Sequence, residues 1–151
     1  MKYLLIALLL MTTTANAENY FTAVVGGVST HVGHEGFEDF DGEWKRFNSK
    51  HNLFGVEYRN AEYGFGVSTF KNSYFDRSYL VTASNYYKYD YFEVIASVGA
   101  VTGYENRDGC MLPMGSLCGV LSLGIELDTP YIKPRVTLYG NAIVLSATIR
   151  F

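Results

Sequence analysis

Residues 142–151 alternate without interruption. Phe151, Ile149, Ala147, Leu145 and Ile143 are apolar, while Arg150, Thr148, Ser146, Val144 and Ala142 grow polar toward the end of the chain. A period of two over about ten residues marks a strand with one oily and one wet face. The same pattern recurs upstream. Phe92, Val94, Ala96, Val98 and Ala100 oppose Glu93, Ser97 and Gly99, and Leu117, Leu121, Leu123 and Ile125 oppose Cys118, Ser122, Gly124 and Glu126. Eight segments read as strands: 19–32, 52–60, 63–71, 77–86, 91–103, 116–127, 131–138 and 142–151.

The connections alternate in length. If the first strand runs outward, the loops at one end cover 33–51, 72–76, 104–115 and 139–141, and the turns at the other cover 60–62, 87–90 and 128–130. Long loops on one side and short turns on the other fit an outer-membrane barrel, where the oily face meets lipid and closure leaves no unpaired edge. A soluble sandwich or lipocalin-like barrel would turn its apolar residues inward. Loop asymmetry and the terminal Phe151 favour the membrane form. The predicted fold is therefore all-β, an eight-stranded antiparallel transmembrane barrel.

With the apolar face outward, Glu57, Arg59, Glu93, Glu126, Lys133, Arg135 and Arg150 point inward, mostly near the turn end. Opposite charges in so narrow an interior must pair. Toward the loop end the inward positions read small: Val25, Gly27, Gly66, Ser97, Gly99 and Val120. Such residues leave a slot for one acyl chain, or merely permit strong sheet curvature.

Residues 1–17 read as a cleaved secretory signal, with Lys2, an apolar run over 3–11 and an Ala15-Asn16-Ala17 cleavage site. The mature barrel is then expected to span 18–151, enough chain for one domain. Removing Lys2 leaves eleven basic against fifteen acidic residues, which argues against nucleic acid. Thirteen Tyr, ten Phe and fifteen Gly suit strands with aromatic girdles. In an exported chain, Cys110 and Cys118 either form a disulfide or remain two thiols, one in a loop and one facing inward. Two Cys without a nearby His do not make a metal site, and no motif calls for a cofactor.

The candidate chemistry lies at the loop end. His31, His34 and His51 flank the first loop, and Ser73 follows Phe70-Lys71-Asn72 in the second. A His beside a Ser at a membrane surface is the minimum for acyl transfer, with the imidazole accepting the hydroxyl proton.

Phe70-Lys71-Asn72-Ser73 resembles the Phe-Lys-Asp-Ser motif of the lipid A palmitoyltransferase (PagP-type) family. His34, followed by Phe47-Asn48, resembles that family's active-site His and Tyr-Asn. Leu112-Pro113, Ile132-Lys133-Pro134, Gly140-Asn141 and Phe151 resemble its third loop and its ending. The resemblance implies acyl transfer from a phospholipid to lipid A by a monomer in the outer membrane. His34 or His31 would be the base, Ser73 an activated or oxyanion-stabilising hydroxyl, and Asn72 the orienting group. Pro113 and Pro134 would mark wall gaps that admit the lipids, since Pro removes a ladder donor. The barrel interior would gauge the chain. Asn72 stands where the family has Asp, and the helix before the family's first strand has no counterpart in 18–151. The rival readings are a non-catalytic surface barrel acting through loop 33–51 in adhesion, serum resistance or receptor masking, and a lipid A deacylase. The deacylase lacks support from any His-x-Ser near the C-terminus.

Overall fold

The computed structural model describes residues 19–104 and 110–151; the expected signal segment lies outside them. Among the described residues eleven strands form: β1 Tyr20–His31, β2 Gly36–Glu38, β3 Trp44–Arg46, β4 Lys50–Arg59, β5 Tyr63–Lys71, β6 Arg77–Lys88, β7 Phe92–Val101, β8 Leu112–Met114, β9 Leu117–Leu127, β10 Ile132–Tyr139 and β11 Ala142–Arg150. Eight of them close an antiparallel barrel in the order β1-β4-β5-β6-β7-β9-β10-β11, and β11 pairs back with β1 from Thr22↔Arg150 to His31↔Ala142. The eight long strands coincide with the eight predicted segments to within a few residues. The short β2–β3 hairpin lies inside the first loop, and β8 folds onto the outer end of β9. Neither was expected, because three residues carry too little period to stand out.

The wall is apolar on the outside. Phe54, Val67, Val81, Val98, Leu121, Leu123, Ile125, Val136 and Leu145 are all exposed. The inside is polar toward the turn end. Arg135 donates to Glu57 at 2.5 and 2.9 Å, and its Nε donates to Glu126 at 2.8 Å. Arg59 donates to Glu126 at 3.0 Å and also to Glu93. Thr148 donates to Glu126 at 2.8 Å, and the Arg59 guanidinium lies 3.7 Å from the Tyr86 ring centroid. Buried charges need such partners, since an unpaired ion in this setting costs several kcal/mol, of the order of ~3–5. Two residues expected in this network stand apart from it. Lys133 pairs with Asp128 in the last turn, and Arg150 is exposed, 4.0 Å from the Tyr20 ring.

One inward expectation is corrected. Val25 pairs with Phe54 and Ala147, whose side chains lie on the outer face. The register of β1 shifts between Gly26 and Val28, and Gly26 and Gly27 take φ of 103° and 88°. This bulge moves the inward set from Thr22 and Val24 to Gly27, Ser29 and His31. A Cβ on Gly27 would lie 2.8 Å from Leu53 Cβ and 3.0 Å from His51 Cβ, so the close approach of β1 to β4 also requires glycine here.

Candidate active site at the loop end

Above the ionic floor the barrel is hollow. A cavity of about 780 Å³ runs from Glu57, Arg135 and Thr137 up to the loops, within the ~300–1,000 Å³ typical of ligand pockets. Val24, Leu53, Leu80, Val101 and Val120 give it apolar walls. Leu80, Val101 and Cys118 pack together on one side, with Phe70, Tyr104 and Tyr139 against them. Cys110 and Cys118 form a disulfide with Cα atoms 5.6 Å apart, which ties the end of the third loop to β9.

The bulge in β1 aims His31 into the mouth of this cavity. Its Nε2 lies 3.0 Å from Ser73 Oγ, at hydrogen-bond distance. The imidazole stacks on Phe47 with centroids 4.2 Å apart and planes at 24°. Phe47 in turn meets Phe37 and Tyr74, and Tyr74 meets Tyr104 edge-on at 5.7 Å. The ring is thus oriented by aromatic packing, and among the described residues no carboxylate hydrogen-bonds it. In the tautomer protonated on Nδ1, Nε2 accepts the Ser73 hydroxyl proton, the arrangement a general base needs.

Ser73 is buried and held by its neighbours. Asn48 N donates to the Ser73 carbonyl at 2.9 Å, and Tyr104 interacts with both the side chain and the backbone of Ser73. Burial pushes the Tyr104 phenol above its ordinary pKa of 10.0, against the opposing pull of Ser73, so it remains a hydroxyl donor at neutral pH.

The other sequence candidates are placed differently. His34 is exposed at the cavity rim. Asn72 is fully buried and faces the second loop rather than His31. Its Nδ2 donates to Ser78 Oγ at 3.1 Å and to the Gly103 carbonyl at 3.0 Å, and its Oδ1 accepts from the N–H groups of Tyr74 and Asp76, both at 2.9 Å. Every amide position is used, so Asn72 shapes the turn that carries Ser73. Pro113 sits in β8 opposite Cys118. Pro134 lies in β10 toward the turn end, one residue before the β9–β10 ladder begins at Arg135↔Glu126. That ladder runs only to Tyr139↔Ser122, and β8 pairs with the part of β9 beyond it.

His51 was read as a loop residue and is instead a buried member of β4. Its Nδ1–H donates to the Lys71 carbonyl at 2.6 Å, which fixes the tautomer, so Nε2 accepts from Ser29 Oγ at 2.6 Å. The β4–β5 ladder stops at Phe54↔Thr69, and Asn52 has φ 46°. Beyond that point His51 and Asn48 stitch the strands together, with Asn48 Nδ2 donating to the carbonyls of Lys71 and Asn72 at 3.2 and 3.1 Å. The odd-numbered inward parity of Leu53, Gly55, Glu57 and Arg59, extended back by two, points to His51, and its partner Ser29 shares the inward parity of Gly27 and His31 in β1; nothing in the sequence shows that the two meet.

Compared with known proteins, the chain matches no family model and no curated sequence. The class the fold defines is a closed eight-stranded antiparallel barrel with an apolar exterior, an ionic floor and a cavity open at the loop end.

Proposed function

We propose that the protein is a bacterial outer-membrane barrel that transfers an acyl chain from a phospholipid to lipid A in the leaflet next to the long loops. The observation that carries this reading is the His31–Ser73 contact, 3.0 Å long, at the mouth of an apolar cavity. The apolar outer wall supports the location, because a closed barrel satisfies its own backbone in lipid. In the reaction His31 takes the proton of the acceptor hydroxyl, whose oxygen attacks the donor ester carbonyl. When the tetrahedral intermediate collapses, the ester C–O bond breaks and His31 returns the proton to the departing lysophospholipid oxygen. The acceptor hydroxyl takes the place of Ser73 at Nε2, and the released Ser73 hydroxyl, with that of Tyr104, donates to the oxyanion of the intermediate.

Mass spectrometry of lipid A from cells with and without the protein tests the proposal. One added acyl mass, lost in His31→Ala and Ser73→Ala variants that still fold, supports it. A removed acyl chain turns the reading to a deacylase. An unchanged lipid A leaves a surface barrel that makes contacts through its hairpin tip, where Phe40 is 90% and Trp44 57% exposed.

A further inference from the structure

β5 ends at Lys71 and β6 begins at Arg77, and these two residues are direct partners in the last rung of their ladder. Both are exposed, and they alternate with Phe70 and Ser78, which face inward. Their side chains therefore leave the barrel wall side by side. Like charges directly opposite on one face repel and weaken a rung. Neither residue forms an ion pair with a carboxylate among the described residues. The Lys71 ammonium instead lies 5.3 Å from the centroid of Phe75, whose φ of 70° comes from the turn that Asn72 organises. Asp76, the acid of that turn, is engaged with other groups. Lys50, exposed at the start of β4 and alternating with buried His51, adds a third cation on the neighbouring strand.

The depth of this patch is set by the rungs beneath it. On the same outer face follow Thr69↔Tyr79, Val67↔Val81, Phe65↔Ala83 and Tyr63↔Asn85. The nine residues from Tyr63 to Lys71, eight steps of the strand, span about 27 Å. A tilt of roughly 35–45° reduces that to a height of about 19–22 Å, most of the ~25 Å of a barrel's apolar band. The cations thus stand at the upper border of the band, where lipid phosphates lie.

We propose that Lys71 and Arg77, flanked by Lys50, bind the phosphorylated head group of a lipid in the loop-side leaflet, outside the barrel and apart from the cavity. A phosphate between the two side chains replaces their repulsion with charge-assisted hydrogen bonds, bidentate from the guanidinium. The occupant is a lipid because the wall directly below, with Tyr79, Val67 and Val81 each more than half exposed, receives its chains. The inference rests on the membrane-barrel reading and is independent of catalysis.

The test uses the mature chain in phosphatidylcholine nanodiscs doped with diphosphoryl lipid A, scored by the lipid A that each barrel retains in native mass spectrometry. The wild type is expected to retain diphosphoryl lipid A over its dephosphorylated form. Lys71→Ser and Arg77→Ser are each expected to weaken retention about five-fold, with the double variant compounding the loss. Arg77→Lys, which keeps the charge without the fork, falls between. Millimolar inorganic phosphate is expected not to compete. Equal retention by wild type and double variant, or equal retention of the two lipid forms, overturns the proposal, as does full displacement by inorganic phosphate. A barrel that fails to enter the nanodisc overturns the membrane reading and this inference together.

Discussion

Glu126 accepts hydrogen bonds from Arg59 at 3.0 Å and from Arg135 Nε at 2.8 Å, and so joins two guanidiniums carried by strands three steps apart around the barrel. With Thr148 donating as well, it is the hub of the ionic floor and has no exposed surface. Glu126→Gln leaves both guanidiniums short of charge, at an expected cost of about 3–5 kcal/mol. Urea titration of the folded barrel in vesicles measures it.

Asn72→Asp is expected to weaken the second loop, not strengthen the site. The amide donates to Ser78 Oγ and to the Gly103 carbonyl, and a carboxylate would face that carbonyl with no proton to give. The loss is expected to be about 1–3 kcal/mol. Thermal unfolding, followed by heat-modifiable mobility on gels, reads it.

Gly27→Ala is expected to displace His51 and lower stability by more than about 1 kcal/mol, because a positive φ and a close neighbour coincide there. Gly33→Ala is the matched comparison: its φ is 86°, but nothing lies within 4 Å of its added Cβ. Folding yields of the two variants separate strain from crowding.

Leu145 is exposed on the outer face, between Val136 and Val28 on the adjacent strands. Leu145→Arg is expected to cost about 2–4 kcal/mol when the barrel folds into a bilayer. The same change in a barrel kept in aqueous solution would be nearly neutral, so refolding into vesicles tests the surrounding medium as well as the residue.

The β2–β3 hairpin carries a local pH response. The Lys45 hydrogen bond, aided by the N–H groups of Glu43 and Asp41, holds Asp39 below its ordinary pKa of 3.8. A depressed carboxyl pKa stabilises the hairpin fully above 3.8 and loses that effect as the pH falls through the lower folded value. Trp44, the chain's one tryptophan, lies in β3 and reports the change by fluorescence. Asp39→Asn should remove the acid limb.

The long strands were legible because an apolar wall against a polar interior writes a period of two into each of them. The ionic floor was legible because charged residues at inward parity have few other places to go. Val25 was misplaced because an alternating pattern does not reveal that the Gly26-Gly27 pair adds an extra residue to one strand. His51 was assigned to the loop because the regular ladder breaks at Asn52 before reaching it; only the inward parity of β4, carried two residues further back, points to it. The sequence left His31 and His34 as equal candidates. The bulge brings His31 to Ser73 and leaves His34 at the rim.

His31 stands on the final rung of the seam that joins β1 to β11, opposite Ala142. That seam unites the two ends of the described barrel, so it is a contact of the greatest sequence separation and forms late if local hairpins form first. A chain still open along this edge holds β1 through β4 alone, from Tyr20↔Arg59 to Val28↔Lys50, and leaves His31 without its neighbour Ala142. Closing the seam thus completes the strand beneath the proposed pair: the last rung of β1 gains its second neighbour only in a finished wall, so His31 is held from both sides only once the barrel is whole.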